Sequence, residues 1–157
     1  QNTPCQARQA GRETVPLYLL ERNDHMSKAA IYTTNVSGAT VAAGGIVPVG
    51  GTTRRYGCNI KQDGNTITLC GQGYYLVNVS ATLAPSEAGT VTLTAQKDGV
   101  PIIGATGAET VAASGTANIQ LTAIVRNACG CDSSILSLLL GGVAAVVSNV
   151  AVTVVKL

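Results

Sequence analysis

The chain has 157 residues, of which 46% are hydrophobic, 11% are charged and 3% are aromatic, with neither Phe nor Trp. Its formal charge of +2 is too small and too dispersed to predict a nucleic-acid-binding face or a face for anionic membranes. The length fits one domain, and a core of Val, Ile, Leu and Ala in a chain with 18 Gly favours strands and turns over solvated helices.

The first 28 residues, "QNTPCQARQAGRETVPLYLLERNDHMSK", differ from the rest of the chain. They carry seven of its 18 charged residues, contain Pro4 and Pro16, and follow neither the period of a strand nor that of a helix. We therefore divide the chain into an extended N-terminal arm, residues 1–28, with a short strand predicted at Leu17–Leu20, and a body, residues 29–157. A floppy terminus is the alternative interpretation of the arm.

Alternation of apolar and polar residues dominates the body. The segments "GYYLVNVSATLA" (73–84), "TVTLTAQ" (90–96) and "ANIQLTAIV" (117–125) each place apolar residues on one face and mainly polar residues on the other. The predicted inward residues are Tyr75, Val77, Val79, Ala81, Leu83, Val91, Leu93, Ala95, Ala117, Ile119, Leu121, Ala123 and Val125. Turn pairs such as Asp63-Gly64 and Asp98-Gly99 separate the strands. This pattern predicts an all-β antiparallel sandwich or barrel.

The last two predicted strands, 134–140 and 146–157, are apolar on both faces. One face can fill the core, and the other needs a cover, because an apolar patch of this kind in water favours aggregation. A partner subunit in closed cyclic symmetry is the simplest cover, and the chain's own loops are the alternative. We assign the interface to Leu136, Leu138, Leu140, Val150, Val152 and Val154.

Four segments carry a resemblance to a known family: "AIYTTN" (30–35), "GYYLVNVSATL" (73–83), "DGVPIIGATG" (98–107) and "NVAVTVVKL" (149–157). In this order they resemble the C-terminal domain of the collagen-like exosporium glycoproteins of bacterial spores, over residues 29–157. The resemblance implies an antiparallel jelly-roll sandwich of the tumour-necrosis-factor-like type, a tight homotrimer and an extracellular place on a spore or cell surface. The chain departs from that family in lacking a Gly-X-Y tract and in having five Cys.

Side chains suited to catalysis are sparse. His25 is the single histidine and lies in the arm, and the acids are scattered beside Gly or turns. We therefore expect no enzyme and no cofactor. A zinc site would need Cys58, Cys70, Cys129 and Cys131, whose spacing is not that of the common C-x2-C knuckle. Disulfides are the favoured interpretation, and no metal is expected.

The cysteines predict one bridge within the domain and others between chains. Counting outward from a three-residue loop at Gly64 places Cys58 opposite Cys70, within bridging distance. In an extended segment the Cα atoms of Cys129 and Cys131 would lie about 6.5–7 Å apart, which is poor for a mutual bridge. Together with Cys5 on the arm they are candidates for intermolecular disulfides. A bridge between two loops of one domain, with Cys5 free, is the alternative.

We thus predict a structural subunit of a bacterial cell- or spore-surface fibre or appendage. It would be a homotrimer, joined to its neighbours by the arm and by intermolecular disulfides. Its partner would be itself, with no nucleic acid and no membrane span, because Gly141-Gly142 interrupts the apolar run at 135–147. The alternative is an adhesive or ligand-binding tip module of a spore-surface or phage fibre.

Overall fold

The computed structural model describes residues 28–128 and 133–157, and all regular secondary structure in these residues is β. Their strands are β1 Ala30–Asn35, β2 Thr40–Val41, β3 Gly51–Tyr56, β4 Ile60–Asp63, β5 Thr66–Cys70, β6 Gly73–Pro85, β7 Gly89–Lys97, β8 Val100–Val111, β9 Ala117–Asn127, β10 Ser133–Gly142 and β11 Ala145–Lys156. The arm before residue 28 and the segment 129–132 lie outside the described residues. In the described part there is no helix long and apolar enough to cross a membrane.

Two antiparallel sheets pack face to face. The first sheet has the order β3-β1-β11-β6-β9, with the short β2 pairing with the start of β11. The second has the order β4-β5-β10-β7-β8. Strands that are distant in sequence are neighbours in both sheets, as in the pairs β1–β11 and β5–β10. The sandwich predicted from the alternation is therefore confirmed.

The core lies between the sheets and consists of aliphatic side chains with one tyrosine. The predicted inward residues of β6, β7 and β9 are buried, with Ala123 partly buried, and their alternate neighbours are mostly exposed. Tyr75 is fully buried, and its hydroxyl donates to the carbonyl oxygens of Cys70 and Gly71 at 2.9 and 2.8 Å. Burial raises the pKa of Tyr75 to about 12, because the phenolate would be desolvated.

The six residues assigned to the subunit interface belong to this core, so that assignment was wrong. Leu136, Leu138, Leu140, Val150, Val152 and Val154 are each 5% exposed or less in the single chain. They point towards the opposite sheet and leave almost no surface for a second subunit. On β11 the outward face carries Ala151, Thr153 and Val155, which are half-buried. When both faces of a strand are apolar, its sequence does not indicate which face points towards the core.

The hairpin β4–β5 has a different register from the one counted on the sequence. Its loop has two residues, Gly64 and Asn65, and pairs Ile60 with Leu69 and Asp63 with Thr66. Gly64 has φ of 58°, as the first position of a type II′ turn requires. A loop one residue shorter than expected moves every pair by one position. The residue opposite Cys70 is consequently Asn59.

Candidate subunit interface

An apolar row crosses the outer face of the first sheet from edge to edge. Tyr56 on β3 pairs with Ala30, Ala30 with Val155, Val155 with Leu76, and Leu76 with Ile124 on β9. These five residues, which we call the apolar row, lie side by side on the five strands and point away from the core. Tyr56 is 67% exposed and Ile124 59%, and the three between them are half-buried.

More apolar surface adjoins the row. Tyr74 is 51% exposed, and Leu157, at 65%, is held beside it by a hydrogen bond of 2.9 Å from its amide to the Tyr74 carbonyl. The Arg126 guanidinium lies 5.9 Å from the centroid of the Tyr74 ring, within the range of a cation–π contact. On the other side of the row Tyr32 is 37% exposed and pairs with Arg54. The row thus lies in an apolar patch with two arginines at its margin.

The rest of this outer face is mainly polar on β6 and β9. Thr122 donates to the Asn78 amide oxygen at 3.4 Å, and Thr82 donates to that of Asn118 at 3.0 Å. Gln120, between these pairs on β9, is exposed. The sheet therefore divides into an apolar part around the row and a polar part towards the other end of its strands. An abrupt boundary of this kind is typical of a binding surface with a polar rim.

A second exposed apolar feature is the edge strand β8. Residues 102–105 form a bulge in which four residues oppose Ala95 alone. Gly104 has φ of 84°, a left-handed conformation that glycine adopts without strain. Ile103 is fully exposed in this bulge, and Val100 before it is 65% exposed.

A groove of about 270 Å³ separates this bulge from the first sheet. It is lined by Lys97, Val100, Pro101, Ile102, Ile124, Val125 and Arg126. Lys97 closes one side, because its ammonium group donates to the Arg126 carbonyl at 2.7 Å. Ile124 belongs both to this groove and to the apolar row, so the two apolar features form one continuous surface.

The predicted bridge between Cys58 and Cys70 is absent. Cys58 is disulfide-bonded, whereas Cys70 is a free, half-buried thiol. Cys58 lies in the bend before β4, and Asn59 occupies the position that the prediction gave to it: the Asn59 amide group donates to the Cys70 carbonyl at 2.8 Å. The partner of Cys58 is therefore outside the described residues, as are Cys5, Cys129 and Cys131.

The residues on either side of the segment 129–132 are held in place by contacts between β9, β5 and β10. Ser134 donates to the Asn127 amide oxygen at 2.5 Å, and the Asn127 amide group donates to the Leu69 carbonyl at 3.1 Å. Both side chains are buried. Ser133, the first residue after the segment, pairs directly with Cys70. The sequence did not indicate this proximity, since it depends on the pairing of β5 with β10.

The acidic and metal-binding side chains of the described residues form no metal-binding cluster. Among the described residues no group of three His, Cys, Asp or Glu side chains could hold a metal ion. The Glu109 carboxylate accepts a hydrogen bond from the Asn118 amide at 2.6 Å, and the Asp98 carboxylate accepts one from the Ile135 amide at 2.9 Å. These two acids thus bind backbone amides. His25 lies outside the described residues.

The sequence matches no protein-family model and no curated protein, but its fold is similar to those of solved structures. PRD1 vertex protein P5 aligns with a TM-score of 0.56 and 17% identity, over 83% of this chain and 98% of that one. Eiger TNF from S. frugiperda aligns at 0.57 and 16%, over 82% and 91%. The globular domain of the zebrafish complement 1qA protein aligns at 0.58 and 10%, over 82% and 95%. The described residues therefore form a tumour-necrosis-factor-like jelly roll.

Proposed function

We propose that this chain is a structural subunit without enzymatic activity, and that it acts as a homotrimer in a fibre or appendage on the outside of a bacterial cell or spore. The apolar row carries this proposal. A continuous apolar row on a free monomer would promote aggregation, whereas a closed ring of identical subunits buries it in every copy. The resemblance of the four sequence segments to a trimeric spore-surface family supports the same assembly.

A threefold ring joins two different surfaces of neighbouring subunits. The apolar row supplies one of them. The bulge of β8 supplies the other, because Ile103 and Val100 are the exposed large apolar residues on the edge next to Ile124. Full burial of a side chain of this size contributes about 1.5–3 kcal/mol. We infer that Ile103 of one subunit packs against the apolar row of the next.

Cysteines would join the trimers to one another. The arm carries Cys5, and the segment with Cys129 and Cys131 is bounded by Ala128 and Ser133, which are both exposed. A disulfide from Cys5 to one of these two cysteines of another trimer would lock the contact. Three arms per trimer would bind with avidity, since each capture raises the effective concentration of the next.

The trimer is tested by static light scattering of the full chain with Cys5→Ser, which prevents covalent links through the arm. At concentrations below those at which trimers associate, the expected mass is about three times the 15.9 kDa of the chain. A monomer that stays soluble at high concentration would contradict the proposal, because the exposed row would then need no cover.

The fibre is tested by non-reducing gel electrophoresis and negative-stain electron microscopy. Wild type should give covalent multimers and filaments, and Cys5→Ser should lose the multimers but retain trimers. Cys70→Ser is the control, because Cys70 is a free thiol within the domain. A wild-type chain that runs as a monomer without reductant would refute the covalent link.

An adhesive or ligand-binding tip module of a spore-surface or phage fibre is the second candidate. Its support is the similarity in fold to PRD1 vertex protein P5. Both candidate functions require the trimer, so the presence or absence of filaments distinguishes them. Trimers that form no filaments under oxidising conditions would favour the tip module.

A further inference from the structure

The edge strand β3 has an unusual exposure. It pairs with β1 on one side, and in the described part of the chain no strand pairs with its other side. Contacts with β4 involve β3 side chains, such as the hydrogen bond of 2.7 Å from the Thr52 hydroxyl to the Gln62 amide oxygen. All six residues, Gly51–Tyr56, are exposed, whereas every other strand has at least one residue that is partly or fully buried. An edge of this length offers backbone groups to which another extended segment can bind.

The charge of β3 limits what can bind there. Arg54 and Arg55 are adjacent, and the strand has no acidic residue. Arg54 donates to the neighbouring Thr53 carbonyl at 3.0 Å, and Arg55 donates to the Ile60 carbonyl at 2.8 Å, so neither is neutralised by a carboxylate in these contacts. Two copies of β3 side by side would bring like charges together, which is unfavourable.

The arm contains a segment that matches this edge in length and has an acidic residue at each end. Residues 13–21 read "ETVPLYLLE", with Glu13 and Glu21 at the ends and no basic residue between them, and Arg12 and Arg22 flank the segment. Pro16 is tolerated at the start of a strand, and the four residues after it are apolar. We propose that Leu17–Leu20 in the arm of a subunit from a neighbouring trimer adds to the free edge of β3 as a further strand. This inference rests on the proposed function and specifies where its arm docks.

The chain path favours a neighbour's arm over the subunit's own. Lys28 lies against the end of β3, since a Cβ on Gly57 would be 2.5 Å from the Lys28 carbonyl oxygen. To reach the free edge by the shortest route, the subunit's own arm would run parallel to β3 and then pass the C-terminal end of that strand. Residues 57–59, which connect β3 to β4, already occupy this end. Connections that cross at one edge of a sheet are avoided. An arm from another subunit avoids the crossing, and its residues 21–27 can span about 23 Å.

Docking would also extend the apolar row. Side chains alternate along a strand, so Leu17 and Leu19 would share one face of the added strand, and Tyr18 and Leu20 the other. One of these pairs would lie beside Tyr56, the exposed end of the row on β3. The added strand would thus bury apolar surface as well as pair charges.

The first test is a charge exchange in the full chain with Cys5→Ser, so that assembly beyond the trimer is reversible. Arg54→Glu or Glu21→Arg alone should weaken the association of trimers. In sedimentation, the concentration at which species larger than the trimer appear should rise by about fivefold or more, and the double variant should return it to the value of the Cys5→Ser chain. Glu87→Arg, on the exposed turn between β6 and β7, is the control and should have little effect. Single variants that assemble like wild type, or a double variant that is not restored, would overturn the proposal.

The second test is amide hydrogen exchange of residues 51–56 in the assembled Cys5→Ser chain, which dilution returns to trimers. The β3 amides that do not bond to β1 should be protected from exchange by the added strand. Leu19→Pro, within the docked segment, should remove this protection, whereas Ala10→Pro, outside it, should not. Protection that persists after dilution to the trimer would place the docked arm within the same trimer and overturn the proposal. If trimers form while β3 stays unprotected in the assembly, only this inference fails. A monomeric chain would refute the proposed function itself.

Discussion

Asp98 and Ile135 are joined by two hydrogen bonds between the β7–β8 turn and β10. The Asp98 amide donates to the Ile135 carbonyl at 2.8 Å, and the Ile135 amide donates to the Asp98 carboxylate at 2.9 Å. Asp98 has φ of 52° and precedes Gly99, as in a type I′ turn. The carboxylate thus ties the turn that leads into the β8 bulge to the neighbouring strand β10.

We expect Asp98→Ala to lower the free energy of unfolding by about 0.5–1.5 kcal/mol, because the exposed Ile135 amide exchanges the Asp98 carboxylate for water. Urea denaturation would measure this. Asp63→Ala is the matched control, since the bond at that turn runs from the Thr66 hydroxyl to the backbone carbonyl of Asp63, which the substitution retains. Equal losses in the two variants would contradict a specific role for the Asp98 carboxylate.

Tyr75 makes stability depend on pH in the alkaline range. Its pKa is raised from 10.0 in the unfolded chain to about 12 in the fold. Folding therefore favours the neutral hydroxyl. Its contribution to the free energy of unfolding is complete below pH 10 and is lost as the pH rises towards 12. The loss should be on the order of 2 kcal/mol.

Comparison of wild type with Tyr75→Phe isolates this effect. The variant should be less stable at neutral pH, because the Cys70 and Gly71 carbonyls lose their donor, but the difference should shrink between pH 10 and 12. Denaturation curves at several pH values would show it. A difference that is independent of pH would refute the linkage.

Val152 and Thr153 are neighbours on β11 that face opposite sides of the sheet. Val152 is 3% exposed in the core, whereas Thr153 lies on the outer face. Val152→Asp should therefore unfold the domain, at a cost of several kcal/mol for a buried, unpaired charge. Thr153→Asp should leave the fold intact. Circular dichroism separates the outcomes, and a folded Val152→Asp chain would contradict the burial.

The three alternating strands could be predicted from the sequence because β6, β7 and β9 each have one mainly apolar and one mainly polar face. The core could not be assigned for β10 and β11, where both faces are apolar. One available signal for the interface was the position of Leu76 and Ile124, which are apolar residues on otherwise polar faces. The cysteine pairing failed for another reason, since a turn of two residues moved Asn59 into the position expected for Cys58.

The cysteine assignment predicts the outcome of peptide mapping without reduction. Cys70 should be recovered as a free thiol and Cys58 in a disulfide with a cysteine other than Cys70. Cys70→Ser should therefore leave the disulfide in place. A peptide in which Cys58 is linked to Cys70 would show that the register of the β4–β5 hairpin is wrong.

The most direct test of the assembly is the mass of two variants of β9 on the Cys5→Ser background. Ile124 and Gln120 lie on the same outer face of the same strand, the first in the apolar row and the second in the polar part of the face. Ile124→Asp should give a folded monomer, because a charge in the buried row is unpaired, and Gln120→Asp should remain a trimer. Light scattering that finds Ile124→Asp still trimeric, or both variants monomeric, would contradict an interface built on the apolar row.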